Sequence, residues 1–478
     1  MVLESRPLGH RWRSSRIFIL FVVILALFCE TFLYSFPVPI LSYMIEDRLH
    51  IDPSQTQNIT TALLSLHGFI ALISAPIIAH FADKSSNRKF SLLISLAGCF
   101  VGTVLLSLTP SVPALFAGRI IQGIAGSATW IVGSATMTDH VEVGNLGKLY
   151  GLSMSFVSAG VIAGPAIAGT VLELAGYWPA WSVALGLLAL DIIMRFIMIE
   201  TPKLSSTDRD SSTINPSDTT ASNSETSALL DHDALTRQSN TLDSIAETHD
   251  EHTQKGGFYR VMLSDARVIS GLLSTILSSS ILASFDATLS LHLRDAFSWG
   301  SMAAGMTFLS LQLPSICIGS LAGWLRDRVG LRYPTAVGWA LSAPIMWLLG
   351  VPGSDKFPFG STINGEGLFI FAVFAFGVVT PFVRGAGYLQ LSIVLNERQA
   401  KDPEIFGRHG GSNRVFALQD IALSLGLMIG PLISGSLTQA VGYYWMSCTL
   451  AMLCIASSIA CVNCLSSKLV TNSESDSK

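Results

Sequence analysis

Charged residues are scarce in this chain. Asp, Glu, Lys and Arg make up 13% of the 478 residues, whereas soluble domains contain about 25%. This composition argues against a cytosolic enzyme. The net charge of −4 provides no basic surface for nucleic acid, so we expect no nucleic-acid partner.

Signatures of several other protein classes are also missing. The sequence has no G-x-x-x-x-G-K-[ST] loop for ATP, no His-rich metal cluster and no paired catalytic constellation with suitable spacing. Most of the seven cysteines lie in apolar runs, where cysteine behaves as a small hydrophobic residue rather than as part of a disulfide framework. We therefore expect no enzyme activity, no cofactor and no bound metal.

Hydrophobic residues make up half of the chain and are grouped into long runs. The runs are continuous rather than alternating, which favours membrane-spanning helices over a β-barrel. The expected fold is an all-α membrane protein of twelve transmembrane helices in two six-helix, pseudo-symmetric halves. The predicted spans cover residues 16–36, 58–80, 90–109, 112–136, 147–172, 179–199, 267–291, 300–325, 333–351, 366–395, 413–440 and 442–465.

A polar segment rich in Ser, Thr, Asp and Glu separates the two sets of six runs. Such a composition cannot bury enough apolar surface to fold, so we expect a disordered cytosolic linker over 201–262. The N-terminal half then covers 16–200 and the C-terminal half covers 263–466. The remaining segments, 1–15 and 467–478, are expected to be cytosolic.

Lysine and arginine are unevenly distributed among the predicted loops. When both termini are placed in the cytosol, the outer loops carry only Arg48, Arg294 and Lys356, and the cytosolic loops carry most of the remainder. This asymmetry follows the positive-inside rule and predicts that both termini are cytosolic. No convincing cleavage site follows the first run, so we expect it to be a span rather than a signal peptide.

Two short motifs bear on location and modification. Glu225-Thr-Ser-Ala-Leu229-Leu230, in the linker, resembles an acidic dileucine sorting signal. This motif favours a vacuolar or endosomal membrane. The plasma membrane remains the alternative location. Asn58-Ile-Thr60 is a candidate glycosylation sequon, although it abuts the second span.

Two loops at matching positions indicate that the halves repeat one another. Asp83 and Arg88 follow the second run, and Asp327, Arg328 and Arg332 follow the eighth. Carboxylates near helix N-termini and arginines that pair with acids on adjacent helices would form a latch that closes one face. Duplicated halves predict a substrate site near the midplane, between the halves.

A second repeat places glycines and a proline inside matching spans. Glycine permits close helix contact and proline removes a backbone hydrogen bond, so both spans are expected to be closely packed and bent. We expect them to act as a hinge or a seal. The residues are Gly160, Gly164, Pro165 and Gly169 in the fifth span, and Gly426, Gly430, Pro431 and Gly435 in the eleventh.

With these motifs, the sequence resembles the major facilitator superfamily across nearly its whole length. The Asp83 and Asp327 loops resemble the signature loop of that superfamily and its repeat, although Ala79 replaces the leading glycine of the first copy. The segment around Arg119, Leu115-Phe-Ala-Gly-Arg119-Ile-Ile-Gln122-Gly123, resembles the helix 4 motif of proton-coupled members. The fifth-span motif resembles that of drug:proton antiporters, which implies antiport.

Within that branch the closest likeness is to the vesicular amine transporter group. Glu30 occupies the position of an amine-binding Asp, and His67 that of a Lys. Asp286 corresponds to a Glu in helix 7, and Asp420 to an Asp in helix 11. The acid that the family carries in helix 10 has no counterpart, because Val379 and Thr380 occupy that region, which weakens the transfer of amine chemistry.

Ionisable residues within spans support a site independently of this resemblance. A charged side chain at the centre of a span costs about 2.5–3.5 kcal/mol on insertion scales, so it normally faces a cavity or a partner. Glu30 and His67 both lie about 20 Å from the inner end of their spans at about 1.5 Å per residue. We expect Glu30 to carry a proton or a substrate cation, with His67 tuning it. The alternative is a buried structural pair.

The other intramembrane charges have open roles. Arg119 either modulates a carboxylate in the cavity or caps a carbonyl at a kink, and Asp286 could face it. Asp420 and Arg384 have comparable depths, so Arg384 is a candidate charge partner that either compensates Asp420 or contacts an anionic part of the substrate.

The sequence thus predicts a secondary active transporter. We expect a monomeric proton-coupled antiporter that exports or sequesters a small organic, cationic or amphipathic compound, with protons and the lipid bilayer as its other partners. The main alternative is a facilitator or proton symporter that imports a small polar solute. A sensor would need a folded signalling domain, for which the linker is too polar.

Overall fold

The computed structural model describes residues 10–84, 88–140, 146–199, 258–354, 363–402 and 412–465. Every regular element within these ranges is a helix. We number the thirteen long helices in chain order; four shorter helical segments join or precede them. The long helices are α1 (Arg16–Ser35), α2 (Pro53–Lys84), α3 (Arg88–Leu108), α4 (Val112–His140), α5 (Leu146–Ala175), α6 (Tyr177–Ile197), α7 (Ala266–Phe297), α8 (Ser301–Val329), α9 (Arg332–Gly350), α10 (Ile363–Val383), α11 (Ala386–Lys401), α12 (Ser412–Val441) and α13 (Tyr443–Cys464). The short segments are His10–Arg13, Leu41–Tyr43, Met44–Arg48 and Phe258–Leu263.

Eleven stretches of the described chain are long and apolar enough to cross a membrane. They coincide with eleven of the twelve predicted spans. The remaining predicted span is α9, a helix of 19 residues whose composition is less apolar because it begins with Arg332, Tyr333 and Pro334. It packs against α10 and α13, and its buried Trp339 donates a hydrogen bond to Ser274 of α7 at 3.1 Å. The chain is therefore an all-α membrane protein.

Each half has its own apolar core. One cluster of buried side chains lies within the N-terminal half, and a larger one lies mainly within the C-terminal half. Large apolar side chains also cover the outside of the bundle: Leu174 is 74% exposed, Met452 71% and Phe196 63%. A soluble protein would bury such residues, whereas hydrocarbon accommodates them, so this surface is suited to contact with lipid.

The tenth predicted span, 366–395, is not one continuous helix. It is divided into α10 and α11 by Arg384 and Gly385. Gly385 has φ of 78°, a left-handed backbone that glycine adopts readily. Pro381, four residues earlier, cannot donate a backbone hydrogen bond within the last turn of α10. These two residues explain why the helix ends there.

Ion pairs at the far end of α11 hold it against the start of α7. Arg267 contacts Glu397 at 2.8 Å and Asp265 at 3.0 Å, and Arg398 lies 3.5 Å from Asp265. Burial raises the pKa of Asp265, but hydrogen bonds from Arg267 lower it by more, so this pKa lies below its ordinary value. The carboxylate therefore remains charged and keeps α11 fixed to α7.

The predicted linker, 201–262, extends too far at its C-terminal end. Most of it lies outside the described residues, but Phe258–Leu263 forms a helical turn and a half. Phe258 and Met262 are buried in a cluster with Leu391 and Val394 of α11. The apolar residues of this short segment are what bring it into the folded C-terminal half.

The glycines of α5 and α12 make the close contacts that the repeat predicts. A Cβ on Gly164 would lie 2.7 Å from the Phe32 carbonyl oxygen of α1. A Cβ on Gly430 would lie 2.8 Å from the Cα of Ser280 in α7. The same two helices also cross between the halves, because Gly169 abuts Ser301 of α8 and Gly435 abuts Thr61 of α2. The glycines of α5 in the N-terminal half and of α12 in the C-terminal half thus make equivalent contacts, as the internal duplication predicts.

Polar contacts join the halves at the end of the bundle opposite the start of α1. Arg294 forms an ion pair with Glu46 at 2.6 Å. Gln57 donates to the Ala287 carbonyl at 3.0 Å, and the Met302 amide donates to Glu173 at 2.8 Å. This end is the outer side in the predicted orientation, so the contacts close the bundle there.

Only part of the two repeated loops can be compared with expectation. The side chains of Asp83, Arg88 and Asp327 lie outside the described part of the structure. Arg328 lies over the ring of Trp324 at 4.5 Å, and Arg332 lies 5.7 Å from the ring of Tyr333. The latch function of these loops remains a prediction, as does glycosylation of Asn58, an exposed residue of α2.

Substituting Gly164 by Ala tests the tight contact between α1 and α5. The added Cβ cannot avoid backbone atoms of α1, so we expect a loss of about 1–3 kcal/mol in stability, typical of overpacking. Gly186→Ala is the matched control, because a Cβ at Gly186 meets nothing within 4 Å. Thermal unfolding in detergent should show a lower midpoint for Gly164→Ala alone. Equal midpoints for the two variants would contradict the contact.

Candidate functional site

A large cavity lies between the two halves. Its empty volume is about 1240 Å³, part of which is open to solvent. Residues from α1, α2, α4 and α5 line it from the N-terminal half, and residues from α7, α8 and α12 line it from the C-terminal half. Arg384, at the break between α10 and α11, completes the wall. The void is therefore a shared feature of both halves.

Three carboxyl groups line this cavity, and both halves contribute. Glu30 projects from α1, Asp286 from α7 and Asp420 from α12. All three side chains are partly exposed. They lie in membrane-spanning stretches, where a carboxylate facing lipid would be costly. The cavity gives each of them access to water or to a ligand.

Tyr34 connects several of the predicted residues. Its hydroxyl donates to the Asp286 carboxylate at 3.4 Å, which is a bond between the two halves. Its ring lies against His67, with 4.9 Å between the ring centroids. Its backbone carbonyl accepts a hydrogen bond from Arg119 at 3.3 Å. One tyrosine thus contacts three ionisable residues from three different helices.

Arg119 is fully buried behind the cavity wall. Besides the Tyr34 carbonyl, it donates to Gln122 Oε1 at 3.3 Å, and Gln122 in turn donates to Thr103 at 2.8 Å. Within the described residues no hydrogen bond or ion pair joins Arg119 directly to Asp286, but Tyr34 contacts both. The contact with a backbone carbonyl corresponds to one of the two alternatives that the sequence left open for Arg119.

Glu30 and His67 share a second, smaller void. It has an empty volume of about 220 Å³, and Leu33, Tyr34, Cys99 and Gln122 complete its lining. The Glu30 carboxylate rests against α4, where a Cβ on Gly126 would lie 2.7 Å from Oε1. His67 is 7% exposed, and among the described residues its Nδ1 has no hydrogen-bond partner. Glu30 and His67 are therefore neighbours without being directly bonded.

Arg384 does not pair with Asp420. Both side chains line the large cavity, but no ion pair joins them within the described ranges. The backbone around Arg384 is held by Arg326 of α8, which donates to the carbonyls of Pro381 at 2.7 Å and Arg384 at 2.9 Å. Equal depth along two helices does not specify which way each side chain points, so both roles that the sequence leaves open for Arg384 remain predictions.

Reasoning from the sequence missed Tyr34 and Arg326. In a sequence, an aromatic residue within an apolar run cannot be distinguished from a core residue. The hydroxyl of Tyr34 was the one feature that could have indicated a role in the site. Arg326 is buried at the end of α8, beside the repeated loop. In the sequence it is simply one more positive charge near a predicted cytosolic loop. The combination of Pro381 and Gly385 four residues apart could have indicated the break that Arg326 supports.

Comparisons with known proteins agree with this architecture. The sequence profile of the Major Facilitator Superfamily matches residues 23–390 of this chain. The Uncharacterized MFS-type transporter C18.02 of Schizosaccharomyces pombe is 29% identical over 96% of this chain and 97% of its own. The Tetracycline resistance protein, class G, of Vibrio anguillarum is 33% identical over 26% of this chain and 31% of its own. A crystal structure of a mutant of the nucleoside transporter NupG has a TM-score of 0.61 and 13% identity, and the match covers 94% of this chain and 100% of that one.

Removing the Gln122 amide tests the buried Arg119 network. Gln122→Leu removes the acceptor of one Arg119 guanidinium nitrogen and the donor to the Thr103 hydroxyl, which should cost about 1–3 kcal/mol. Gln55→Leu is the control, because Gln55 is exposed at the start of α2. Denaturation monitored by tryptophan fluorescence should show destabilisation of Gln122→Leu only. Equal stability of the two variants would refute the network.

Proposed function

The chain belongs to the Major Facilitator Superfamily and is a membrane transporter rather than an enzyme, and on this basis we propose that it is a proton-coupled antiporter. Its cargo is a small organic compound that it exports from the cytosol or sequesters in an acidic compartment. The single observation that carries this proposal is the cavity lined by carboxyl groups of both halves.

Carboxyl groups suit proton exchange because they can be charged or neutral in the same place. Glu30, Asp286 and Asp420 line a common void. A protonated carboxyl releases its proton when a cationic group of the substrate arrives, and binds a proton again when the substrate leaves. Competition between a proton and a cargo for the same groups couples their movements in opposite directions.

His67 and Arg119 tune this exchange from behind the acids. His67 shares the smaller void with Glu30, and Arg119 is linked to Asp286 through Tyr34. A change of charge on Asp286 would be transmitted to Tyr34, which also touches His67. The Tyr34 bond crosses between the halves, so protonation of Asp286 is positioned to affect how strongly the halves adhere.

Rocking of one half against the other would expose the cavity alternately to each side. The contacts among Glu46, Arg294, Glu173 and Met302 close the predicted outer end. In that orientation the substrate enters from the cytosol. Closely packed α5 and α12 each contact both halves, so they are suitable pivots for the movement.

The choice of export over import is supported by three resemblances. The tetracycline resistance proteins among the relatives are named for resistance to a drug. The fifth-span motif is similar to that of drug:proton antiporters, and the Glu30 and Asp420 positions resemble those of the vesicular amine transporter group. Together they favour an amphipathic cargo with a cationic group over a small neutral solute.

Transport into liposomes with an acidic lumen tests the proposal. Purified protein should accumulate at least one member of a panel that contains tetracycline, tetraphenylphosphonium and a neutral steroid, and collapse of the pH gradient should abolish the accumulation. Glu30→Gln should lose the pH-driven component, because glutamine cannot exchange a proton. Accumulation that requires the opposite gradient would instead establish proton symport.

The control for Glu30→Gln is Asp52→Asn. Asp52 is an exposed acid whose carboxylate accepts a hydrogen bond from the Ser54 amide at 2.8 Å, a role that asparagine fills equally well. This variant should transport like the unmodified protein. Unchanged pH-driven transport in Glu30→Gln would remove Glu30 from the mechanism.

A further inference from the structure

Arg384 is placed at the break between α10 and α11 by its backbone. Arg326 donates to the carbonyl groups of Pro381 and Arg384, and Gly385 turns the chain with a left-handed φ of 78°. The ion pairs of Arg267 and Arg398 hold the far end of α11. The side chain of Arg384 is therefore presented to the cavity by a backbone that is fixed on both sides.

The Arg384 guanidinium makes no hydrogen bond and no ion pair with any part of the chain that the structure describes. Its side chain is exposed and lines the cavity. Other arginines of the bundle are occupied, Arg119 by Tyr34 and Gln122, and Arg294 by Glu46. Because this cavity is partly open to solvent, water can solvate the guanidinium, which remains available to a ligand that enters.

The cavity thus offers groups of both charge signs that do not neutralise one another. Glu30, Asp286 and Asp420 supply negative charge, and Arg384 supplies a planar cation with several donors. A purely cationic ligand would be attracted by the acids but would leave Arg384 desolvated and unpaired. A ligand that also carries an anionic group would satisfy Arg384, because guanidinium binds a carboxylate through two parallel hydrogen bonds.

We infer that the substrate carries both a cationic or strongly donating group and a single anionic group, and that Arg384 binds the anionic group. A singly charged carboxylate or phenolate fits better than a phosphate, because one guanidinium beside three acids would compensate a dianion poorly. The wall between these charges is largely apolar, with Trp130, Leu282, Leu311 and Leu423 among its residues. The substrate class is therefore an amphipathic zwitterion.

This inference rests on the proposed function for the identity of the cavity as the substrate site, but its test does not depend on proton coupling. The probes are a zwitterionic rhodamine with a free carboxylate and its methyl ester, which is a cation on the same ring system. Binding of each to purified protein in detergent is measured by fluorescence polarisation at neutral pH, without a pH gradient.

The unmodified protein should bind the free acid more tightly than the ester. Arg384→Gln should weaken binding of the free acid by about tenfold, the loss expected for one charge-assisted hydrogen-bonding partner. Binding of the ester should remain, which also shows that the variant is folded. Arg384→Lys should retain part of the preference, because lysine keeps the charge but not the two-pronged geometry. Arg260→Gln, an exposed arginine outside the cavity, should behave like the unmodified protein.

Three results would overturn the inference: tighter binding of the ester by the unmodified protein, an equal effect of Arg384→Gln on both probes, or no saturable binding of either probe. If the proposed proton-coupled transport is wrong, the experiments give a different set of results. The preference for the free acid and its dependence on Arg384 would remain intact, while pH-driven accumulation in liposomes would be absent.

Discussion

Hydrocarbon cannot solvate a charge, so each ionisable side chain within a membrane-spanning bundle needs water, a counter-charge or a hydrogen-bond partner. Two solutions occur in this protein. Arg119 is fully buried, and its two terminal nitrogens donate to a backbone carbonyl and a side-chain amide. The carboxyl groups of Glu30, Asp286 and Asp420 instead face a common void. This division separates groups that support the structure from groups that are free to exchange partners.

The internal duplication places these groups so that both halves share them. Glycines of α5 and α12 bring each helix against its own half and against the other half. Close backbone contact at these glycines, without interlocking side chains, would let one half rotate slightly against the other while α5 and α12 stay packed. Tyr34 adds a side-chain contact between the halves at the cavity, because its hydroxyl bonds to Asp286. The bond connects the charge state of an acid to the fit between the halves.

The sequence was sufficient to predict the helical fold, because a run of about 20 apolar residues has few alternatives to a membrane-spanning helix. It also selected Glu30, Asp286 and Asp420 as candidate site residues, since acids within such runs are rarely tolerated on the lipid face. Counting residues gives depth but not the rotation of a helix about its axis. For this reason the sequence could not decide whether Arg384 pairs with Asp420.

Other features depend on tertiary contacts that local patterns do not contain. The break at Arg384 and Gly385 lies within a run that is predicted as a single span, and its stability relies on Arg326 from a different helix. The packing of Phe258 and Met262 against α11 likewise extends the folded part into a segment whose composition resembled a linker. In both cases a distant residue supplies the partner that decides the local structure.

Proton exchange in this protein requires that the carboxyl groups of the cavity are in contact with water. Infrared difference spectroscopy of the protein in lipid, between unmodified protein and Glu30→Gln, isolates the carboxyl bands of that residue. We predict a band that shifts promptly when H2O is replaced by D2O and that changes between its protonated and ionised forms as pH is varied. A Glu30 carboxyl band that neither exchanges nor titrates would contradict the central claim.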